Sequence, residues 1–500
     1  MLDSILQGLL VLVQPQVVMY MLVAILIGLV MGIMPGLAGL TLLAILIPFT
    51  WGMDPYLALA FLMAAYAVCY TGGSITAILL NIPGTGPNAA TLLDGFPMAQ
   101  QGKAGRALGA ALTSSALGGL IGGVFLALLI PVVMPILMAF GSPECFFLIV
   151  MGLSFIAALG RGSMNKAFIA SLLGLIVSFV GYHAGTAFPR FTFGITYLLD
   201  GVKIVPCALA MFAVPEIIAL MYRGGTIVKA GVQVSAPKAD LWQGAKDVFR
   251  HWWLFLRSSI IGTFVGVVPG VGGDVAVWVA YGHAKQTSKH PEEFGTGCIE
   301  GVIAPESCNN AKEGGGLLPT LALGIPGSSA MAILLGAFLI QGIQPGPSFL
   351  NEHLDLAFTI IGALIFANLI GAGISMLAAT QLVKITLVRS QFLAPVVLCI
   401  LVLGAFCARN SFFDVFLMFA LAILGWIMRE QGYSRPAFFL GFVLGGLAEG
   451  YFNVSLGAFG WTFFLAPIPL TLIAVTVLGV FFQPIRSFLS QRMGWRRNTR

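Results

Sequence analysis

Residues 4–53, SILQGLLVLVQPQVVMYMLVAILIGLVMGIMPGLAGLTLLAILIPFTWGM, run for fifty positions without an Asp, Glu, Lys, Arg or His. One bilayer crossing needs only ~20 apolar residues, so this stretch alone is long enough for two. After Asp54 the next charged residue is Asp94, which places several crossings in the first hundred residues. The whole chain has the same character. Its 500 residues are 58% hydrophobic and 9% charged, with a mean hydropathy of +0.98. That leaves too few charges to coat a soluble globule of this size. The fold class read from this is an all-α polytopic membrane protein in contact with the lipid bilayer. Dividing the remainder at its charged and Pro/Gly-rich breaks predicts roughly ten to thirteen crossings or part-crossings.

Charge placement predicts the orientation. Arg486, Arg492, Arg496, Arg497 and Arg500 crowd the tail, and Arg223, Lys229, Lys238, Lys246, Arg250 and Arg257 follow Tyr222. The positive-inside rule assigns both to the cytoplasm and explains the net charge of +6 without nucleic acid as a partner. No Lys or Arg precedes Lys103, so the N-terminus is expected outside, and it lacks the basic region and cleavage site of a signal peptide. The expected organisation is a first transmembrane repeat over 1–222, a cytoplasmic connecting segment over 223–255, a second repeat with C-terminal helices over 256–485, and a basic cytoplasmic tail over 486–500. The seven cysteines are scattered without CxxC spacing and read as small apolar residues rather than a metal or disulfide framework.

The repeat rests on two motifs. Gly28, Gly32, Pro35, Gly36 and Gly39 recur as Gly262, Gly266, Pro269, Gly270 and Gly273 at a constant shift, 262 − 28 = 234. Further on, TGGSITAILLNIPGT over 71–85 corresponds to GGGLLPTLALGIPGS over 314–328, with Ile-Pro-Gly offset by 326 − 83 = 243. The glycines spaced by four are helix-packing faces. Pro35 and Pro269 break helices inside apolar runs, which is tolerated where the freed backbone is buried in protein or lines a polar cavity. Pro326-Gly327 divides the charge-free stretch between Glu313 and Glu352 into arms of roughly a dozen residues, each too short to span ~30 Å of hydrocarbon. A re-entrant helical hairpin is therefore expected, with Gly327, Ser328 and Ser329 at its tip and Gly84, Thr85 and Asn88 at its counterpart. Helix N-termini at such tips favour carboxylates. Because the first half holds an odd number of crossings, the two repeats are expected to be inverted, with a substrate site at their paired broken elements.

The candidate substrate residues are Gly36, Asn81, Gly84, Thr85, Gly270, Asn309, Thr320, Gly327 and Ser328. Asp274 follows the second Pro-Gly break where the first half has Leu40, and Glu306 lies in the polar stretch 304–313. Both are candidates for holding a coupling cation, sodium or a proton. For Asp274 the other reading is a carboxylate at the lipid interface, and for 304–313 a solvated loop.

These motifs resemble the large permease subunit of tripartite tricarboxylate transporters (TctA type). The resemblance is carried by Gly28 to Gly39, by Asn81-Ile82-Pro83-Gly84-Thr85 with Asp94-Gly95 and the run Gln101 to Ala107, and by Ala304 to Ser328. It extends over most of the chain. It implies a bacterial inner-membrane secondary transporter that takes carboxylates, citrate or a related acid, from a periplasmic solute-binding protein beside a small membrane subunit. An ion gradient would drive symport, and a hairpin-bearing domain would move as an elevator. Cys308 and Asp274 stand where the family pattern has small uncharged residues, so no role of Asp274 follows from the resemblance.

Other classes fit less well. GxxxxGK[ST] is absent, which argues against an ATP-driven pump. Gly270-Val271-Gly272-Gly273-Asp274 is one residue away from the GxGD of membrane aspartyl proteases and has no Tyr-Asp partner, and HExxH is missing, so no catalytic residues are expected. The five histidines are dispersed and read as interfacial rather than as metal ligands. A gated channel for small organic anions is the alternative, since channels also use broken helices.

Overall fold

The computed structural model describes residues 1–34, 37, 39–137, 140–159, 164–183, 186–223, 238–268, 272–383, 390–407 and 409–478. Both Pro-Gly breaks (35–36 and 269–270), residues 224–237 of the connecting segment and the basic tail lie outside the described residues.

The chain is almost entirely helical. Its helices are α1 (Leu2–Leu12), α2 (Pro15–Ile33), α3 (Leu40–Leu46), α4 (Pro55–Leu80), α5 (Asn88–Gln100), α6 (Ala104–Leu137), α7 (Ser142–Leu159), α8 (Met164–Ser178), α9 (Ile204–Ala208) and α10 (Val214–Arg223). There follow α11 (Lys238–Arg250), α12 (Trp252–Val267), α13 (Gly272–Thr287), α14 (Glu300–Leu323), α15 (Ser329–Ile340), α16 (Phe349–Glu352), α17 (Leu354–Val383), α18 (Ser390–Cys407), α19 (Phe412–Glu430) and α20 (Arg435–Phe459). Six helical stretches among the described residues are long and apolar enough to cross a membrane: Pro15–Ile33, Pro55–Leu80, Ala104–Pro135, Leu354–Ala378, Phe412–Glu430 and Arg435–Leu465. Nine shorter apolar helices accompany them. The protein is a multi-pass, all-α membrane protein.

Its outer faces carry the apolar residues that a soluble protein would bury. In α19, Phe412, Phe416, Phe419, Ile423 and Ile427 recur at helical spacing and are exposed, while Asp414, Met418, Ala422 and Gly425 on the other face are buried. Asp414 is paired there with Arg409 at 3.0 Å, as a buried charge requires.

The chain divides into two compact units. One comprises 138–202 and 431–500, in which α8 packs on α20 through Gly174 against the Phe438 carbonyl and Gly441 against the Ser171 carbonyl. The other, 1–137 with 203–430, holds both motifs. Here the glycine pairs work as close-packing faces. Gly28 and Gly32 of α2 lie on the carbonyls of Ala65 and Cys69 in α4, and Gly262 and Gly266 of α12 lie on those of Cys308 and Lys312 in α14. A Cβ at any of the four would overlap the facing carbonyl oxygen. The offsets of 234 and 243 carry each contact of the first set onto one of the second (28 + 234 = 262 on 65 + 243 = 308; 32 + 234 = 266 on 69 + 243 = 312). Moreover, α4 and α14 run antiparallel where they meet: Ser74 contacts Glu306, whereas Thr71, nearly one turn earlier, contacts Asn310, one turn later.

The hairpin around Pro326 differs from expectation in its first arm. The second arm, α15, has twelve residues, but α14 has twenty-four and includes all of 304–313. That polar stretch is neither a loop nor solvated. Every residue from Ala304 to Glu313 is helical and buried, because α4, α5, α6, α12 and α17 surround it, and residues of α4, α5, α6 and α17 supply partners for Glu306 and Asn310.

Candidate functional site

Two hairpins frame the site. In the first, α4 turns through 81–87 into α5. In the second, α14 turns through 324–328 into α15. Each outgoing arm ends at a left-handed residue, Asn81 (φ 57°) and Gly324 (φ 67°), separated by the same 243 positions. Asn tolerates this conformation better than other non-glycine residues. The following amides, Ile82 and Ile325, turn back to the carbonyls of Thr76 and Pro319, closing the helix ends.

The tips fold onto their own arms. The Gly84 N–H donates to the Gly73 carbonyl at 3.4 Å, and the residue sits so close to the Gly32 carbonyl and the Gly73 Cα that a Cβ has no room. The Gly327 N–H donates to Thr320 Oγ1 at 3.2 Å, and the Thr320 hydroxyl donates to the Gly316 carbonyl at 2.7 Å. A Cβ on Gly327 would fall 2.6 Å from the Gly316 Cα. These two tip amides are therefore engaged within their hairpins. Ser328 caps α15, accepting from the Met331 N–H at 3.3 Å, and Thr85 donates to Asn88 Oδ1. Asn81 is exposed.

Glu306 lies at the centre, fully buried, with four donors on its carboxylate. Ser74 of α4 (2.7 Å) and Ser115 of α6 (2.8 Å) donate to Oε2, while Thr91 (2.5 Å) and Asn88 (3.4 Å) of α5 donate to Oε1. Asn88 also donates to Ser74 Oγ at 2.9 Å and to the Tyr70 carbonyl at 3.2 Å. No Lys, Arg or His contacts this carboxylate among the described residues; three hydroxyls and an amide surround it.

One turn along α14, Asn309 is buried with neither Oδ1 nor Nδ2 partnered. Asn310 bridges Thr71 at 3.3 Å and Asn368 at 2.5 Å. Lys312 and Glu313 form a buried ion pair, with the ammonium 4.1 Å from the centre of the Tyr70 ring, and the Tyr70 hydroxyl lies 2.9 Å from that of Tyr66.

Asp94 anchors the assembly from the middle of α5. Its Oδ1 accepts from the N–H groups of Gly295, Gly297 and Cys298 at 2.8–3.0 Å, and its Oδ2 from the Tyr281 hydroxyl at 2.8 Å. The first hairpin is thereby fastened to the turn that launches α14.

The structure thus gathers Glu306 and Asn309 with the hairpin residues Gly84, Thr85, Thr320, Gly327 and Ser328 in one unit. Gly36 and Gly270 lie outside the described residues, and Asp274 falls in the first turn of α13 with its side chain outside them. Reasoning from sequence alone missed Ser74, Thr91, Ser115 and the Lys312–Glu313 pair. The signal for the pair was present, since Lys312 is the one Lys or Arg anywhere in the two hairpins. The hydroxyls carried no signal separable from ordinary small residues.

A family match decides the classification of this architecture. Residues 18–440 match the tripartite tricarboxylate transporter TctA family. The chain belongs to that family. It is similar to an uncharacterized 52.8 kDa protein in the TAR-I ttuC' 3' region of Agrobacterium vitis, 34% identical over 439 residues, covering 87% of this chain and 86% of that protein. It is also similar to an uncharacterized protein in the TAR-II ttuC' 3' region of the same organism, 34% identical over 235 residues, which are 46% of this chain and 97% of that one. No solved structure matches. Membership in the TctA family makes the chain a large transporter subunit rather than an enzyme.

Proposed function

We propose that this protein is the large subunit of a bacterial inner-membrane carrier that imports citrate or a related di- or tricarboxylate by symport with sodium or protons. Substrate arrives from a periplasmic solute-binding protein, and a small membrane subunit completes the complex. The observation that carries the reading is the pair of tip-bearing hairpins whose arms, α4 and α14, correspond under one offset yet run antiparallel. Inverted repeats with broken elements at corresponding positions are how carriers build one site reachable from either side. The N-terminus is periplasmic and the C-terminus cytoplasmic in this scheme. Arg106 at the start of α6 pairs with Asp247 of α11 at 2.5 Å, which keeps the basic residues around Lys103 and the connecting segment on one face, in keeping with the positive-inside rule.

The substrate lies between the tips, held by groups from Asn81, Gly84, Thr85, Asn309, Thr320, Gly327 and Ser328, with Gly36 and Gly270 bringing backbone close. Glu306, enclosed by groups that can each reorient, binds the coupling cation and offsets the negative charge of the substrate; Asp274 is the second candidate for that role. The hairpin-bearing unit moves as an elevator. The test is uptake of radiolabelled citrate, then of other carboxylates, in cells lacking their own carriers, with each of the three components omitted in turn. Uptake that needs all three and stops when ion gradients collapse supports the carrier. Saturable-carrier kinetics that fail to appear, with flux running only downhill, would favour the channel instead.

A further inference from the structure

Lys312 and Glu313 carry the only adjacent opposite charges inside the hairpins, at 3% and 2% exposure. As a device for holding helices together such a pair is a poor choice, because apolar side chains of similar volume serve as well or better. Three features of its surroundings suit a ligand. The ammonium rests on the face of Tyr70, which stabilises a cation without neutralising it. Asn309 lies one turn earlier on α14, and at 100° per residue its direction falls between those of Lys312 and Glu313. Its amide is 1% exposed, with both polar atoms free of protein partners. The same stripe continues through Gly316 to Thr320, where the tip at Gly327 is seated.

We propose that Lys312 is the cation that receives a carboxylate of the transported acid, and that Glu313 occupies its place in the unloaded carrier. This rests on the carrier reading above and names the charge that reading lacks. Loading exchanges partners: the substrate carboxylate takes the Lys312 ammonium from Glu313, Glu313 takes up one proton, and Asn309 donates to the second carboxylate oxygen or accepts from a substrate hydroxyl. The local charge is zero before, from one ammonium and one carboxylate. It is zero after, from one ammonium, one carboxylic acid and one substrate carboxylate, so this position stays neutral, and the remaining carboxylates of the acid are offset by the coupling cation of the carrier reading. The titratable groups that face Glu313 are Lys312 on its own helix and Tyr66 and Cys69 from α4, while Tyr70 of α4 faces Lys312. The described residues of the other helices packed on this stretch bring Thr263 and Gly266 from α12, Gly122 from α6 and Asn368 from α17, none of which titrates.

The test uses the complete three-component system with radiolabelled citrate, malate and succinate, comparing wild type with Lys312→Met/Glu313→Gln and with Glu313→Gln alone. The double variant removes both charges together and so avoids orphaning either. It is expected to reach the membrane at wild-type level and remain monodisperse, yet to raise KM at least tenfold for whichever acid the wild type carries. In the wild type KM should climb from pH 6 to pH 8, because loading consumes a proton; Glu313→Gln should flatten that climb. A double variant with wild-type KM, or a Glu313→Gln carrier with the wild-type pH profile, overturns the proposal while leaving the carrier intact. A wild type that carries none of the three acids overturns both.

Discussion

Glu306→Ala and Glu306→Gln separate what this carboxylate does for the fold from what it does for transport. In the alanine variant four donors lose their acceptor, but they do not suffer equally. Ser74 Oγ also reaches the Tyr70 carbonyl at 3.1 Å, and Asn88 Nδ2 keeps Tyr70 and Ser74. Thr91 and Ser115 have no second partner among the described residues. Two buried hydroxyls left unsatisfied cost about 1–3 kcal/mol each, hence about 2–6 kcal/mol, before the cavity is counted. Against a typical total of about 5–15 kcal/mol, Glu306→Ala should extract from the membrane as an aggregating, heat-labile protein. Glutamine keeps the volume. Its oxygen can face Thr91 and Asn88, and its amide can face Ser74 and Ser115, whose hydroxyls rotate to accept. Glu306→Gln should therefore stay monodisperse on size exclusion, with thermal stability close to wild type. Because it cannot change charge, it should lose accumulation of carboxylate against a gradient while retaining counterflow exchange. Wild-type accumulation by Glu306→Gln would remove Glu306 from coupling, and a Glu306→Ala protein as heat-stable as wild type would refute the described cage.

Three further outcomes are expected. Asn309→Ala should leave thermal stability unchanged or slightly raised, since it deletes an amide without partners, while raising KM for uptake about tenfold, equivalent to ~1.4 kcal/mol of lost binding; unchanged KM would exclude Asn309 from the site. Gly84→Ala should abolish folded carrier, because the new Cβ meets backbone at both Gly32 and Gly73, and recovery of normal protein levels would show that the tip is not seated there. Cys298, in the turn held by Asp94, has its thiol pushed up to about 11 mainly by burial. In a variant with Cys298 as its single cysteine, maleimide labelling should be slow at pH 7 and accelerate as pH rises, since only the thiolate reacts; rapid labelling at pH 7 would contradict the packing of that turn.

Sequence by itself determined that the chain lives in a bilayer, that Gly28/Gly32 and Gly262/Gly266 are packing faces, and that the chain breaks at Ile-Pro-Gly in two matching places. These are local or compositional properties: an uncharged run has no stable place in water, a helix admits close backbone contact only where side chains are small, and Pro forbids the continuing hydrogen bond. Family membership was legible for the same reason, through motifs read in order along the chain. Tertiary structure alone decided the fate of 304–313. Glu306, Asn309, Asn310, Lys312 and Glu313 look like a solvated loop when read in one dimension, because the groups that satisfy Glu306 and Asn310 come from Ser74, Thr91, Ser115 and Asn368, between 58 and 232 positions away. A buried polar helix is stable only once those distant donors arrive, and nothing in its own spacing announces them. Lys312 stands out in the sequence as the lone cation of the hairpins, but its surroundings emerge only in three dimensions, where the ring of Tyr70 and the unpartnered amide of Asn309 turn two ordinary charges into a place for an anion.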